Sequence, residues 1–134
     1  MNQSEFCSLI EIPHTMEVQI AAAGGHLFCD PKKLGRLSKL ISGNEKYRHQ
    51  ILFSALVGLS CCYKYPAEPD AKTPAFMEGR DMVLSVHISY AQMEPAIKMA
   101  VLKINSAENQ AKYLYDFLWG FVVYFRKLAD SSRS

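Results

Sequence analysis

The thirteen residues from Tyr113 to Phe125 constrain this chain more than any other stretch, because they hold seven aromatic side chains and a single charge, Asp116. At helical spacing, Leu114, Leu118, Val122 and Phe125 make one apolar stripe; Tyr113, Phe117, Phe121 and Tyr124 make a second on a different face. An ordinary surface helix buries one stripe, whereas a helix that is apolar all round must be covered all round. A chain of 134 residues has little protein left to do the covering. The expectation is therefore that the first stripe holds the helix to its own domain. The second stripe, with Trp119 beside it, is read as a subunit or partner interface, where large aromatics are enriched. The competing reading is that the helix threads the centre of its own domain. Membrane insertion fits poorly: the run is too short to span and has no basic polar face.

The rest of the chain reads as one domain, 1–134, of mixed structure. Apolar residues make up 49% and charged residues 21%, so disorder is not the default. Residues 4–12 place Phe6, Leu9 and Ile10 at helical spacing before Pro13. Met16, Val18, Ile20 and Ala22 then alternate, Gly24-Gly25 breaks the run, and His26-Leu27-Phe28-Cys29 resumes it, which reads as a hairpin. Asp30-Pro31 is a strong helix start, followed by the stripe Leu34, Leu37, Leu40 and Ile41. Gly43 ends that helix, and Asn44 is placed to cap a second from about 45 to 63, apolar or small nearly all round beyond Ile51.

Residues 65–79, with prolines at 66, 69 and 74, read as a polar loop. Met82, Leu84, Val86, Ile88 and Tyr90 alternate with Val83, Ser85, His87 and Ser89 and predict a strand. Pro95 is taken to open a helix with Ile97, Ala100, Val101 and Ile104 inward. Ser106 is taken to cap the last one, of roughly 23 residues. The expected class is α+β: a small antiparallel sheet, hairpin plus one strand, packed with about five helices and ending in the long aromatic helix.

Motifs that carry chemistry are scarce. Cysteines 7, 29, 61 and 62 read as reduced thiols, since adjacent cysteines pair poorly and a chain of this size needs no staples. With no basic n-region, no long apolar h-region and no apolar run of about 18 residues, the expectation is a cytoplasmic protein. Histidines 14, 26, 49 and 87 could supply a base or ligands. Yet Cys7, His14, His26 and Cys29 lack the paired spacing of a zinc site, so no metal and no cofactor is assigned. Phosphate loops, nucleophile elbows and metalloprotease motifs are missing as well, and no catalytic residue is named.

A basic cluster stands out instead. Lys32, Lys33, Arg36, Lys39, Lys46 and Arg48 face only Glu45 between Pro31 and Arg48, in a chain whose net charge is +2. Two helices joined through Ser42-Gly43-Asn44 imitate helix-turn-helix spacing. A recognition helix needs polar side chains along its exposed face, and the second helix offers them only at its start. A solvated face or a patch for an acidic protein is therefore preferred to nucleic acid.

The succession of elements has a likeness. A short N-terminal helix is followed by a Gly-turn hairpin ending in Leu27-Phe28-Cys29-Asp30, then a leucine helix and a small-residue helix from Gln50 to Leu59. A long loop, the run Met82 to Tyr90 and a Pro-started helix complete the order. Over about residues 4–104 this order resembles the small adaptor-chaperones of type IV secretion, of the IcmS kind. It departs from them in its mildly basic charge and in the aromatic C-terminal extension. The resemblance implies a non-enzymatic chaperone or adaptor that binds effector proteins as part of an oligomer. The alternatives are a small nucleic-acid-binding regulator using residues 32–48, or an inhibitor of a host machine encoded by a mobile element.

Overall fold

A computed structural model of the chain describes residues 31–59, 67–86 and 90–131. The N-terminal helix, the hairpin, all four cysteines and histidines 14, 26 and 87 lie outside the described residues. Those described form α1 (Pro31–Ser42), a 3-10 turn (Glu45–Tyr47), α2 (Arg48–Leu59), α3 (Pro74–Val86), α4 (Tyr90–Asn105) and α5 (Gln110–Ser131). No strand occurs among them, so the expected α+β class is corrected to a mostly helical fold.

The correction turns on α3. Thr73-Pro74 starts it: the Thr73 hydroxyl accepts the Phe76 amide at 3.2 Å, and proline takes a first-turn position where an NH has no partner. Ala75, Phe76, Met82 and Val83 then face the core. The alternation from Met82 onward is the tail of this helix as far as Val86, and residues 87–89 are outside the described set. Period two misleads here because Leu84, counted among its inward residues, is 61% exposed.

Other boundaries move for local reasons. The Asn44 side chain does not cap the following 3-10 turn; its amide donates back to the Leu40 carbonyl at 2.7 Å and closes α1 instead. Pro95 lies inside α4 rather than opening it. The last helix is capped by Asn109, whose side-chain oxygen accepts the Lys112 amide at 3.1 Å, while the Ser106 hydroxyl donates to the Leu102 carbonyl at the end of α4.

One hydrophobic cluster draws residues from every helix, among them Leu37, Leu56, Met82, Ile97 and Leu118. The long helix α5 lies at its centre, against α3 on one side and α1 on another. Contact with α3 is unusually close. A Cβ on Gly79 would fall 2.0 Å from the Phe117 carbonyl oxygen, and one on Gly120 would fall 2.0 Å from that of Phe76. Each helix thus offers a glycine to the backbone beneath the other's phenylalanine, through the repeated pattern Phe76-Met77-Glu78-Gly79 and Phe117-Leu118-Trp119-Gly120. The pairing makes α3 and α5 antiparallel.

Candidate docking surfaces

Of the aromatic face read as a partner surface, the chain itself encloses Phe117 and Phe121. Phe117 and Phe121 are fully buried, as are Leu114, Leu118 and Val122. Two apolar stripes on one helix are accommodated because α3 packs on one and α1 on the other side. The reciprocal glycines let α3 approach closely enough to enclose the phenylalanines. Of the residues assigned to an interface, Tyr113, Trp119 and Tyr124 remain half-buried.

Trp119 and Tyr124 are engaged by the segment before α3. The Trp119 indole NH donates to the Ala67 carbonyl at 3.1 Å, and its ring meets Phe76 edge-on at 5.9 Å. The Tyr124 hydroxyl donates to Glu68 at 3.2 Å. Glu68 also accepts from Lys127 and pairs with Lys72 at 3.1 Å. These bonds, Lys127 first and Lys72 next, hold its carboxyl down from 4.5 to about 2. Thr73 adds a further tie by donating to Asp116, a buried carboxylate that also takes Lys112 at 3.0 Å. The proline-containing loop therefore ends earlier than expected, at Thr73, and its described part, residues 67–73, is pinned along α5.

The basic cluster divides. Arg48 is 2% exposed and belongs to the interior. Its guanidinium donates to the carbonyls of Ile41 (3.3 Å) and Ser42 (2.8 Å), to the Gln110 side chain (2.9 Å) and to the Asn105 side chain. It thereby joins the ends of α1 and α4 to the starts of α2 and α5, using neutral oxygens that include carbonyls at the negative end of the α1 dipole. Arg36 and Lys39 are exposed on α1, Lys46 is exposed in the 3-10 turn, and Lys32 and Lys33 belong to the first turn of α1. The helix that would have to read bases, α2, buries Ile51, Leu52, Phe53, Ala55, Leu56 and Leu59, which leaves those side chains away from any base edge. His49, the one described histidine, is partly buried; burial lowers its pKa, and Glu94 partly opposes the shift.

A third surface was not foreseen. Among the described residues three large hydrophobic side chains are exposed: Leu84 (61%), Met99 (59%) and Leu102 (60%). Met99 and Leu102, on α4, line a groove between α3 and α4, whereas Leu84 stands on α3 outside its lining. Met82, Ala96, Ala100 and Phe117 line its deeper part, and Met99, Leu102, Pro74 and Tyr113 its open end. Lys103 and Glu78 close a salt bridge of 2.7 Å across it, which raises the Lys103 pKa; burial raises that of Tyr113. The available signal was Met99 and Leu102 falling outside the inward set Ile97, Ala100 and Ile104.

Among the described residues no cluster of three or more His, Cys, Asp or Glu is placed to hold a metal ion, and no helix is long and apolar enough to cross a membrane. Compared with protein-family models, curated proteins and solved structures, the chain matches none.

Proposed function

We propose that this chain is a non-enzymatic protein-binding module, an adaptor whose docking face is the groove between α3 and α4. The supporting observation is the distribution of exposed apolar side chains. Met99 and Leu102, both largely exposed, line this groove beside Pro74, Met82 and Tyr113, and neighbouring exposed apolar side chains are the usual mark of a protein interface. The Glu78–Lys103 pair gives the groove a polar element beside an apolar lining, the combination found at interface cores and rims. Pairing through the aromatic stripe of α5 is not part of this reading, because Phe117 and Phe121 are enclosed by the chain itself. The adaptor-chaperone resemblance enters only as a class of protein that works by such docking.

The test is co-purification of the full chain from its native cell beside the double variant Met99→Glu, Leu102→Glu. Both side chains are largely exposed, so the variant should keep the wild-type melting temperature within a few degrees while losing the specific partner. A variant that retains every partner at wild-type yield overturns the groove reading.

A further inference from the structure

A second surface differs from the rest of the molecule in how its charge is balanced. Lys72, Arg80, Lys98, Lys103, Lys112, Arg126 and Lys127 each pair with a carboxylate within 4.0 Å. Arg36, Lys39 and Lys46 have no acidic partner among the described residues; Lys46 instead lies 5.3 Å from the Tyr47 ring. Helix α1 itself contains no acid; in the sequence Asp30 precedes its first residue and Glu45 lies beyond the Ser42-Gly43-Asn44 turn. Arg36 and Lys39 project from the side of α1 opposite the buried Leu34, Leu37 and Ile41, and Lys32 precedes Arg36 by one helical turn in the sequence.

From this face, unpaired with any acid among the described residues, we infer that the outer side of α1, with Lys46 beyond the turn, docks an acidic segment of a partner protein. Charge complementarity supplies the argument, and the surroundings select among polyanions. A membrane surface is disfavoured because Leu34, Leu37 and Ile41 are fully buried and, among the described residues, α1 exposes no large apolar side chain to insert beneath headgroups. Nucleic acid is disfavoured because α2, the adjoining helix, is buried and enters no groove. Tyr47, the nearby ring, is half-buried with Lys46 beside it, so the face has no open platform for stacking bases. A cation row spanning about two helical turns suits a compact run of carboxylates spaced three and four residues apart.

This inference is independent of the apolar groove, and its experiment leaves the groove intact. The probe is a labelled helical peptide with glutamates at three- and four-residue spacing, followed by fluorescence anisotropy with the full chain. At low ionic strength the peptide should bind, its glutamine counterpart should not, and added salt should weaken the complex. Arg36→Glu with Lys39→Glu should weaken binding by at least about tenfold, whereas the same charge change at the paired Arg80 and Lys98 should alter it by less than about threefold. Should the reversal disturb folding, Arg36→Gln with Lys39→Gln gives the same reading by neutralisation. The inference is overturned if the glutamate peptide does not bind, or if reversal at either face weakens it alike. It is equally overturned if a short DNA duplex or phosphatidylserine vesicles compete for Arg36 and Lys39 more strongly than the peptide.

Discussion

Along the seam between α3 and α5, Phe76, Phe117 and Phe121 are buried and two glycines bring the backbones into contact. One helix away, on α4, Met99 and Leu102 keep about three-fifths of their surface in solvent. Both regions use large apolar residues at helical spacing, so composition does not separate them. What separates them is which face of the helix they occupy. In the seam, glycines bring the backbones together and the rings are enclosed; on α4, Ile97, Ala100 and Ile104 take the inward face and Met99 and Leu102 fall outside it. The seam is therefore the place to look for stability, and the outer side of α4 the place to look for contacts with something else.

Substitutions should break this comparison in a graded way. Phe117→Ala removes a fully buried ring and should cost about 3–5 kcal/mol in denaturant unfolding, while Met99→Ala should stay within about 0.5 kcal/mol. Comparable losses at the two sites would mean the seam and the α4 surface are not different in kind. Gly120→Ala should cost about 3 kcal/mol, because the new methyl group meets main chain that cannot rotate aside. Gly35, inside α1, has no atom within 4 Å of an added Cβ, so Gly35→Ala should stabilise by about 0.5–1 kcal/mol. If the two glycine substitutions shift the melting temperature in the same direction, the seam is looser than described.

Arg48→Ala should cost about 2–3 kcal/mol, since it empties a buried position and removes the donors that the Ile41 and Ser42 carbonyls share with the Asn105 and Gln110 side chains. Arg48→Lys should recover only part of this, because one ammonium cannot reach all the acceptors spread around the edge of the guanidinium plane. Full recovery by lysine would reduce the site to a simple positive charge.

The smallest effect belongs to Glu68. A carboxyl whose folded pKa is depressed stabilises the fold above its unfolded value and loses that contribution as pH falls through the folded one, here from about 4.5 toward 2. An NMR titration of the Glu68 carboxyl should give a midpoint near 2, moving up toward 4.5 in Lys127→Met. A midpoint indifferent to Lys127 would show that the tie between residues 67–73 and α5 does not persist in solution.

Much of this fold was legible in particular residues. Asp30-Pro31, the leucine stripe and the small-residue run after Ile51 specified α1 and α2, because caps and periodicity are local properties. The strand over Met82–Tyr90 was misread for a reason equally local: prolines and charges between Tyr65 and Gly79 hid the first two turns of α3, and its short remainder imitates alternation. Thr73-Pro74 carried the same start signal as Asp30-Pro31. The fate of the aromatic face was not legible from α5 alone, since it depends on which helix presents glycine to it. Nor could the sequence separate Arg48 from its basic neighbours, because burial of a cation depends on oxygens from Ile41, Asn105 and Gln110, up to 62 positions away.

The two Phe-x-x-Gly tetrads have a consequence for recognising kin of this chain. Because each glycine answers the main chain of the opposite helix, a change at either one has to be matched by a shift across the seam, and drift at the two sites is tied together. The surface of α4 and the charges of α1 carry no such tie and are free to diverge with whatever they touch. A distant homologue would thus be betrayed less by overall similarity than by two such tetrads, set in successive antiparallel positions with a helix between them.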